Sequence, residues 1–132
     1  RVVFQPAVDN YMAELLHLDV ILDSYPYVGG STTFDALYMG VPVVTFYGEK
    51  RSTRFGLSIL KQLGLEGLAV PIDSPQDYIE RAVGLANDVG ALDALHKNLR
   101  VMMQKAPNIR PGMYARFLES KIEQFLNEKF NA

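Results

Sequence analysis

Gly29-Gly30-Ser31-Thr32-Thr33-Phe34-Asp35-Ala36-Leu37-Tyr38-Met39-Gly40-Val41-Pro42-Val43-Val44-Thr45 holds a glycine turn, a helix start, a helix stop and a strand in one short run. Two glycines let the backbone come close to a ligand, and the helix that starts at Ser31 offers free N–H groups and the positive end of its dipole. Ser31, Thr32 and Thr33 add three hydroxyls at the same tip. Such a tip can hold a diphosphate without any lysine. Gly40 then ends the helix ahead of Pro42, and Val43-Val44-Thr45-Phe46 reads as a strand.

On the N-terminal side, Asp19-Val20-Ile21-Leu22-Asp23 is apolar on both faces, as a strand of a parallel sheet covered on both sides would be. It feeds the turn-rich loop Ser24 to Gly30. Further back, Val2-Val3-Phe4-Gln5 reads as a strand stopped by Pro6, with Asp9 capping a helix over residues 10–17.

On the C-terminal side, Ser52 or Thr53 caps a helix with an inner stripe of Phe55, Ile59, Leu60 and Leu63, stopped by Gly64. Leu68-Ala69-Val70 is a short strand. Ser74, Pro75 and Asp77 mark the next helix start, with Tyr78, Ile79, Ala82, Val83 and Ala86 expected inward. A further helix carries Leu92, Leu95, Leu99 and Met102, and the stretch from Pro107 to Gly112 breaks it. The last helix gathers Met113, Phe117, Leu118, Ile122, Phe125 and Leu126 on one face.

Strands alternating with helices give an α/β class with a parallel sheet and flanking helices, in one domain over residues 1–132. A hydrophobic fraction of 48% with 21% charged residues suits a globular core. Thirteen Lys plus Arg against fifteen Asp plus Glu leave a net charge of -2, so no global attraction draws the chain to nucleic acid or anionic membrane. Cysteine is absent, which excludes disulfides and thiolate chemistry and fits the cytoplasm. No apolar run approaches the ~20 residues of a membrane helix.

Ligands of open parallel sheets bind outside the carboxyl ends of the strands, which points to the loop after Asp23. Asp35, one turn into the helix, could reach a ribose diol with its carboxylate, an acceptor suited to two hydroxyls. Thr32-Thr33-Phe34-Asp35 is also an acceptable capping box, and local pattern alone favours simple capping. Lys50, Arg51 and Arg54 form a small basic cluster that could meet phosphate or a partner domain, with Arg54 the best of them, although charged loops are usually just solvated. His17 and His96 are isolated, and two histidines without cysteine or an acidic cluster do not make a metal site.

The run from Gly29 to Thr45 closely resembles the donor-binding signature of the O-GlcNAc transferase family, in its SPINDLY and bacterial tetratricopeptide-containing form. Asp19 to Asp23, the Tyr25-Pro26-Tyr27 loop, Gly48-Glu49 and Thr53-Arg54 fall where that family has similar residues. The resemblance implies the C-terminal half of a GT-B fold, built of two Rossmann-like domains. It implies that Ser31 and Thr32 with nearby N–H groups, including those of Gly29 and Gly30, bind the diphosphate of a UDP-sugar, that Asp35 binds its ribose, and that Tyr11 meets the uracil ring. Animal members carry a histidine where this chain has Gly30, so one phosphate contact is missing.

The resemblance also implies parts that lie outside these residues. A lysine that neutralises the diphosphate and the acceptor-side catalytic groups is expected upstream of Arg1, as are the partner GT-B domain and the tetratricopeptide repeats. The chain then reads as a piece of a longer protein, inactive alone. Two absent strands should lie between Val2-Gln5 and Asp19-Asp23, so either these two pair directly or a neighbouring copy fills the gap in a homo-oligomer. The implied reaction moves a sugar, N-acetylglucosamine first among the candidates, from UDP to a Ser or Thr of a protein, with no metal. UDP-glucose or GDP-fucose as donor, another acceptor, or a non-catalytic nucleotide-binding module are the competing expectations.

Overall fold

The computed structural model describes residues 2–130. Along the chain run α1 (Tyr11–Leu15), β1 (Ile21–Leu22), α2 (Ser31–Tyr38), β2 (Val43–Tyr47), α3 (Phe55–Gln62), β3 (Ala69–Pro71), α4 (Pro75–Asn87), α5 (Val89–Lys105) and α6 (Pro111–Phe130). Three-residue 3-10 turns at Arg51–Thr53, Glu66–Leu68 and Pro107–Ile109 join some of them.

The strands form one parallel three-stranded sheet in the order β1-β2-β3. Ile21 lies opposite Val43 and Leu22 opposite Val44, while Thr45 faces Ala69 and Phe46 faces Val70. β2 is therefore central, and its Val43, Val44 and Thr45 are all 0% exposed. That explains the apolar start of β2: helices cover both faces of the sheet there, so its first three residues have no wet side. Phe46 and Tyr47, by contrast, are half-buried, and Leu22 on the edge strand β1, expected to be covered on both faces, is 58% exposed.

Leu37 of α2, Val43 of β2, Leu60 of α3, and Leu99 and Met103 of α5 meet in the core. Each such side chain contributes on the order of 1.5–3 kcal/mol by leaving water. α2 ends where expected. Gly40 sits at φ +91°, a left-handed conformation that only glycine adopts freely, and a Cβ there would lie 2.9 Å from the His96 carbonyl oxygen.

Several expectations are corrected. Val2-Gln5 forms no strand: Val2, Val3 and Phe4 are 81%, 75% and 92% exposed, and an extended apolar run without a ladder partner gains nothing from its pattern. Neither direct pairing of that run with β1 nor a six-stranded sheet occurs among the described residues. On α4, Tyr78, Ala82 and Leu85 turn inward, while Ile79 and Val83 stand more than half exposed and Ala86 is exposed. The last helix forms as expected, yet none of its residues is buried.

The starts of the helices differ in detail. Asn10, rather than Asp9, caps α1 by accepting from the Ala13 N–H at 3.3 Å. Ser74 precedes Pro75 at the start of α4 without a side-chain capping bond. Thr53 lies in the 3-10 turn before α3, its hydroxyl donating to the Lys50 carbonyl at 2.7 Å.

Candidate functional site

α2 points its N-terminus at the loop that follows β1, at the carboxyl end of the sheet. Gly30 occupies the cap position, and no side chain there caps the helix. The first-turn bond runs from the Phe34 N–H to the Gly30 carbonyl at 3.0 Å, which leaves the N–H groups of Ser31, Thr32 and Thr33 without partners inside the helix. Asp35 does not reach back to this turn as a capping box would. Its carboxylate instead accepts a hydrogen bond from the Tyr11 hydroxyl.

A cavity of about 830 Å³ opens over this tip, lined by Ser24, Tyr27, Gly29, Gly30, Ser31, Thr32, Phe34, Asp35, Phe55 and Ile59. None of these side chains is basic. Donors to an anion therefore come from main-chain N–H groups, the exposed hydroxyls of Ser31 and Thr32, and the helix dipole. Phe34, Phe55 and Ile59 supply apolar wall, and Asp35 supplies an acceptor on one side.

The residues expected at the site divide into three groups. Gly29, Gly30, Ser31, Thr32 and Asp35 come together around the cavity, and Tyr11 joins them through Asp35. Thr33 does not: it is 3% exposed, and its hydroxyl packs where a Cβ on Gly29 would fall. Arg54 also lies apart, donating to the Gly48 carbonyl at 3.2 Å and lining a separate cavity with Arg51, Glu49 and Lys61, which Phe55 divides from the first.

The Tyr11 hydroxyl titrates above its ordinary value of 10.0, first because it donates to the Asp35 carboxylate and further because that carboxylate's charge disfavours a phenolate. The tyrosine is thus held neutral as a donor, and one Asp35 oxygen is engaged while the other is not so committed.

Asp23, Thr45 and Tyr78 were not singled out by the sequence, yet they build the back of the site. One Asp23 carboxylate oxygen accepts from the N–H groups of Ser24 at 2.9 Å and Gly29 at 2.7 Å. The other accepts from the Thr45 hydroxyl at 2.7 Å. The Tyr78 hydroxyl donates to the Asp23 carbonyl at 3.1 Å, and its ring stacks on Phe46 at 4.0 Å between centroids. Burial raises the Tyr78 titration point, with the Asp23 charge adding to it. In the sequence the cluster shows only as an acid just after one apolar run and a threonine inside the next, Asp23 and Thr45.

Among the described residues no group of three His, Cys, Asp or Glu could hold a metal ion, and no helix is long and apolar enough to cross a membrane.

Known proteins resemble this chain in sequence and fold. The chain is 41% identical over 111 residues to a protein of Solanum lycopersicum described as "Probable UDP-N-acetylglucosamine--peptide N-acetylglucosaminyltransferase SPINDLY", a match covering 84% of the chain and 12% of that protein. A SEC protein of Arabidopsis thaliana with the same enzymatic description is 39% identical over 89 residues, 67% of the chain and 9% of the relative. A solved structure of a Thermobaculum terrenum O-GlcNAc transferase mutant superposes with a TM-score of 0.68 at 36% identity, over 75% of the chain and 19% of that structure. The chain thus spans about an eighth of the length of its curated relatives. Residues 8–118, which carry the glycine turn, α2 and the Asp23 loop, match Glycosyl transferase family 41, and the chain belongs to that family.

Proposed function

We propose that these residues form the donor-nucleotide side of a glycosyltransferase that moves N-acetylglucosamine from UDP-N-acetylglucosamine to a Ser or Thr hydroxyl of a protein. The observation that carries this is the uncapped start of α2, with Gly30, Ser31 and Thr32 lining an open cavity and Asp35 on its flank. The descriptions of the relatives supply the donor and the peptide acceptor.

Sugar transfer builds negative charge on the departing UDP. N–H groups and hydroxyls fixed at the diphosphate gain strength as that charge develops, which lowers the barrier rather than merely tightening substrate binding. Asp35 orients the ribose through its hydroxyls, and Tyr11 offers a ring beside it for the base. No metal is assigned to this chain. The lysine, the acceptor-binding groups, the second GT-B domain and the tetratricopeptide repeats belong to other parts of a longer protein in this proposal, and the absence of cysteine supports a cytoplasmic setting.

Titration with UDP, followed by amide resonances of Ser31 through Asp35 and by calorimetry, tests the proposal. Saturable shifts confined to that stretch are expected, with UDP preferred over GDP. Unmoved resonances at saturating UDP would remove the donor-site assignment, and tighter binding of GDP would replace the donor.

A further inference from the structure

The loop that presents the phosphate-binding tip has few anchors of its own. Tyr25 and Tyr27 are 64% and 68% exposed, and the Ser24 hydroxyl bonds only within the loop, to the Tyr27 carbonyl. Three points tie it down: the buried Val28 side chain, the edge-on contact of the Tyr25 ring with Phe46, and the Asp23 carboxylate, the one hydrogen-bonded anchor that meets Gly29 itself. That carboxylate receives three donors, from Ser24, Gly29 and Thr45, all at charge-assisted distances of 2.9 Å or less.

Its far anchor is rigid. Thr45 is 0% exposed on the central strand, and as a β-branched residue it has little rotamer freedom. At the other end, a Cβ on Gly29 would lie 2.6 Å and 2.8 Å from the Thr33 and Thr32 hydroxyls and 3.1 Å from the Asp23 carboxylate. Gly29 is therefore wedged between Asp23 and the first turn of α2, so the direction of the N–H groups at that turn follows the position of Asp23.

We propose that Asp23 is a positioning residue for the donor diphosphate: it staples Gly29 to Thr45 of the central strand and so aims the α2 tip. This rests on the donor-site reading above and adds a residue that does not touch the donor. A carboxylate close behind a diphosphate site costs electrostatic repulsion, and its three donors turn its charge inward. What matters is hydrogen-bond geometry rather than charge. Asparagine could preserve it, with its carbonyl oxygen accepting the two N–H groups and its amide donating to the Thr45 oxygen. The Thr45 proton would then turn to the Phe46 carbonyl, already 3.2 Å away.

The test compares Asp23→Ala, Asp23→Asn and Thr45→Val for UDP affinity, thermal midpoint and the Gly29 amide resonance of the ligand-free chain. Expected are UDP binding about tenfold weaker for Asp23→Ala, affinity within about threefold of the parent for Asp23→Asn, and an intermediate loss for Thr45→Val, with the Gly29 resonance displaced in the order of the losses. Parental affinity in Asp23→Ala, or an Asp23→Asn variant as weak as Asp23→Ala, overturns the proposal. If Asp23→Ala fails to fold, Thr45→Val decides: parental UDP affinity with an unmoved Gly29 resonance refutes the staple. A parent chain that ignores UDP would instead defeat the donor-site reading, while the ligand-free Gly29 resonance would still report whether the staple exists.

Discussion

Gly56 is the second residue of α3, and replacing it with alanine separates local propensity from packing. In an exposed helix the change stabilises by about 1 kcal/mol. Here a Cβ would fall 2.5 Å from the Thr45 hydroxyl oxygen, 2.7 Å from its methyl carbon and 2.9 Å from its Cβ. Thr45 has no room to move, because it is wholly buried and its hydroxyl is held by Asp23. The helix must shift away from the sheet, at an overpacking cost of about 3 kcal/mol, the upper part of the usual range, since three atoms are violated together. Subtracting the propensity gain leaves about 2 kcal/mol of net destabilisation. For a chain of this length that lowers the thermal midpoint by roughly 8 °C. Scanning calorimetry and urea unfolding measure it, and a cycle with Thr45→Ala, which removes two of the three offending atoms, should show coupling of about 1 kcal/mol or more. A Gly56→Ala chain that melts at or above the parental temperature would refute the packing argument.

Removing the Ser31 or Thr32 hydroxyl by alanine substitution should weaken UDP binding by on the order of tenfold each, with little change in melting, since both side chains are exposed. Leu37→Ala should cost about 3 kcal/mol in urea unfolding, because the side chain is 0% exposed at the centre of the core. Tyr11 should titrate above 10.0 by ultraviolet absorbance, and Asp35→Ala should bring it back towards that value. The sign follows from the raised value: the stabilisation is fully present below pH 10.0 and is lost as pH rises through the higher titration point of the folded chain.

What the sequence disclosed and what it hid differ in range. α2, β2 and the Gly40 stop are written in neighbouring residues, through a 3.6-residue period, a glycine needing positive φ and an apolar run, and all three form where expected. The cavity residues from Gly29 to Asp35 were legible for the same reason, apart from the inward turn of Thr33, which depends on where Gly29 comes to rest. The Asp23 cluster was not legible, because its partners Thr45 and Tyr78 stand 22 and 55 residues away. Tyr78 also explains the rotated face of α4. With its hydroxyl bonded to the Asp23 carbonyl, the inward stripe follows Tyr78, Ala82 and Leu85, and the expected partners Ile79 and Val83 are carried outward. Val2-Gln5 had a strand's composition without a strand's neighbour.

α2 is held at both ends by unrelated devices, the Asp23 loop at its tip and the His96 carbonyl against Gly40 at its base. Eight residues make a rod of about 12 Å, too short and too well seated to bend. Its flank rests on α5, with Leu37 in one cluster with Leu99 and Met103. Re-seating α5, for example by trimming Leu99 or Met103, should therefore swing the far tip, and substitutions distant from any ligand would register as altered grip on the nucleotide.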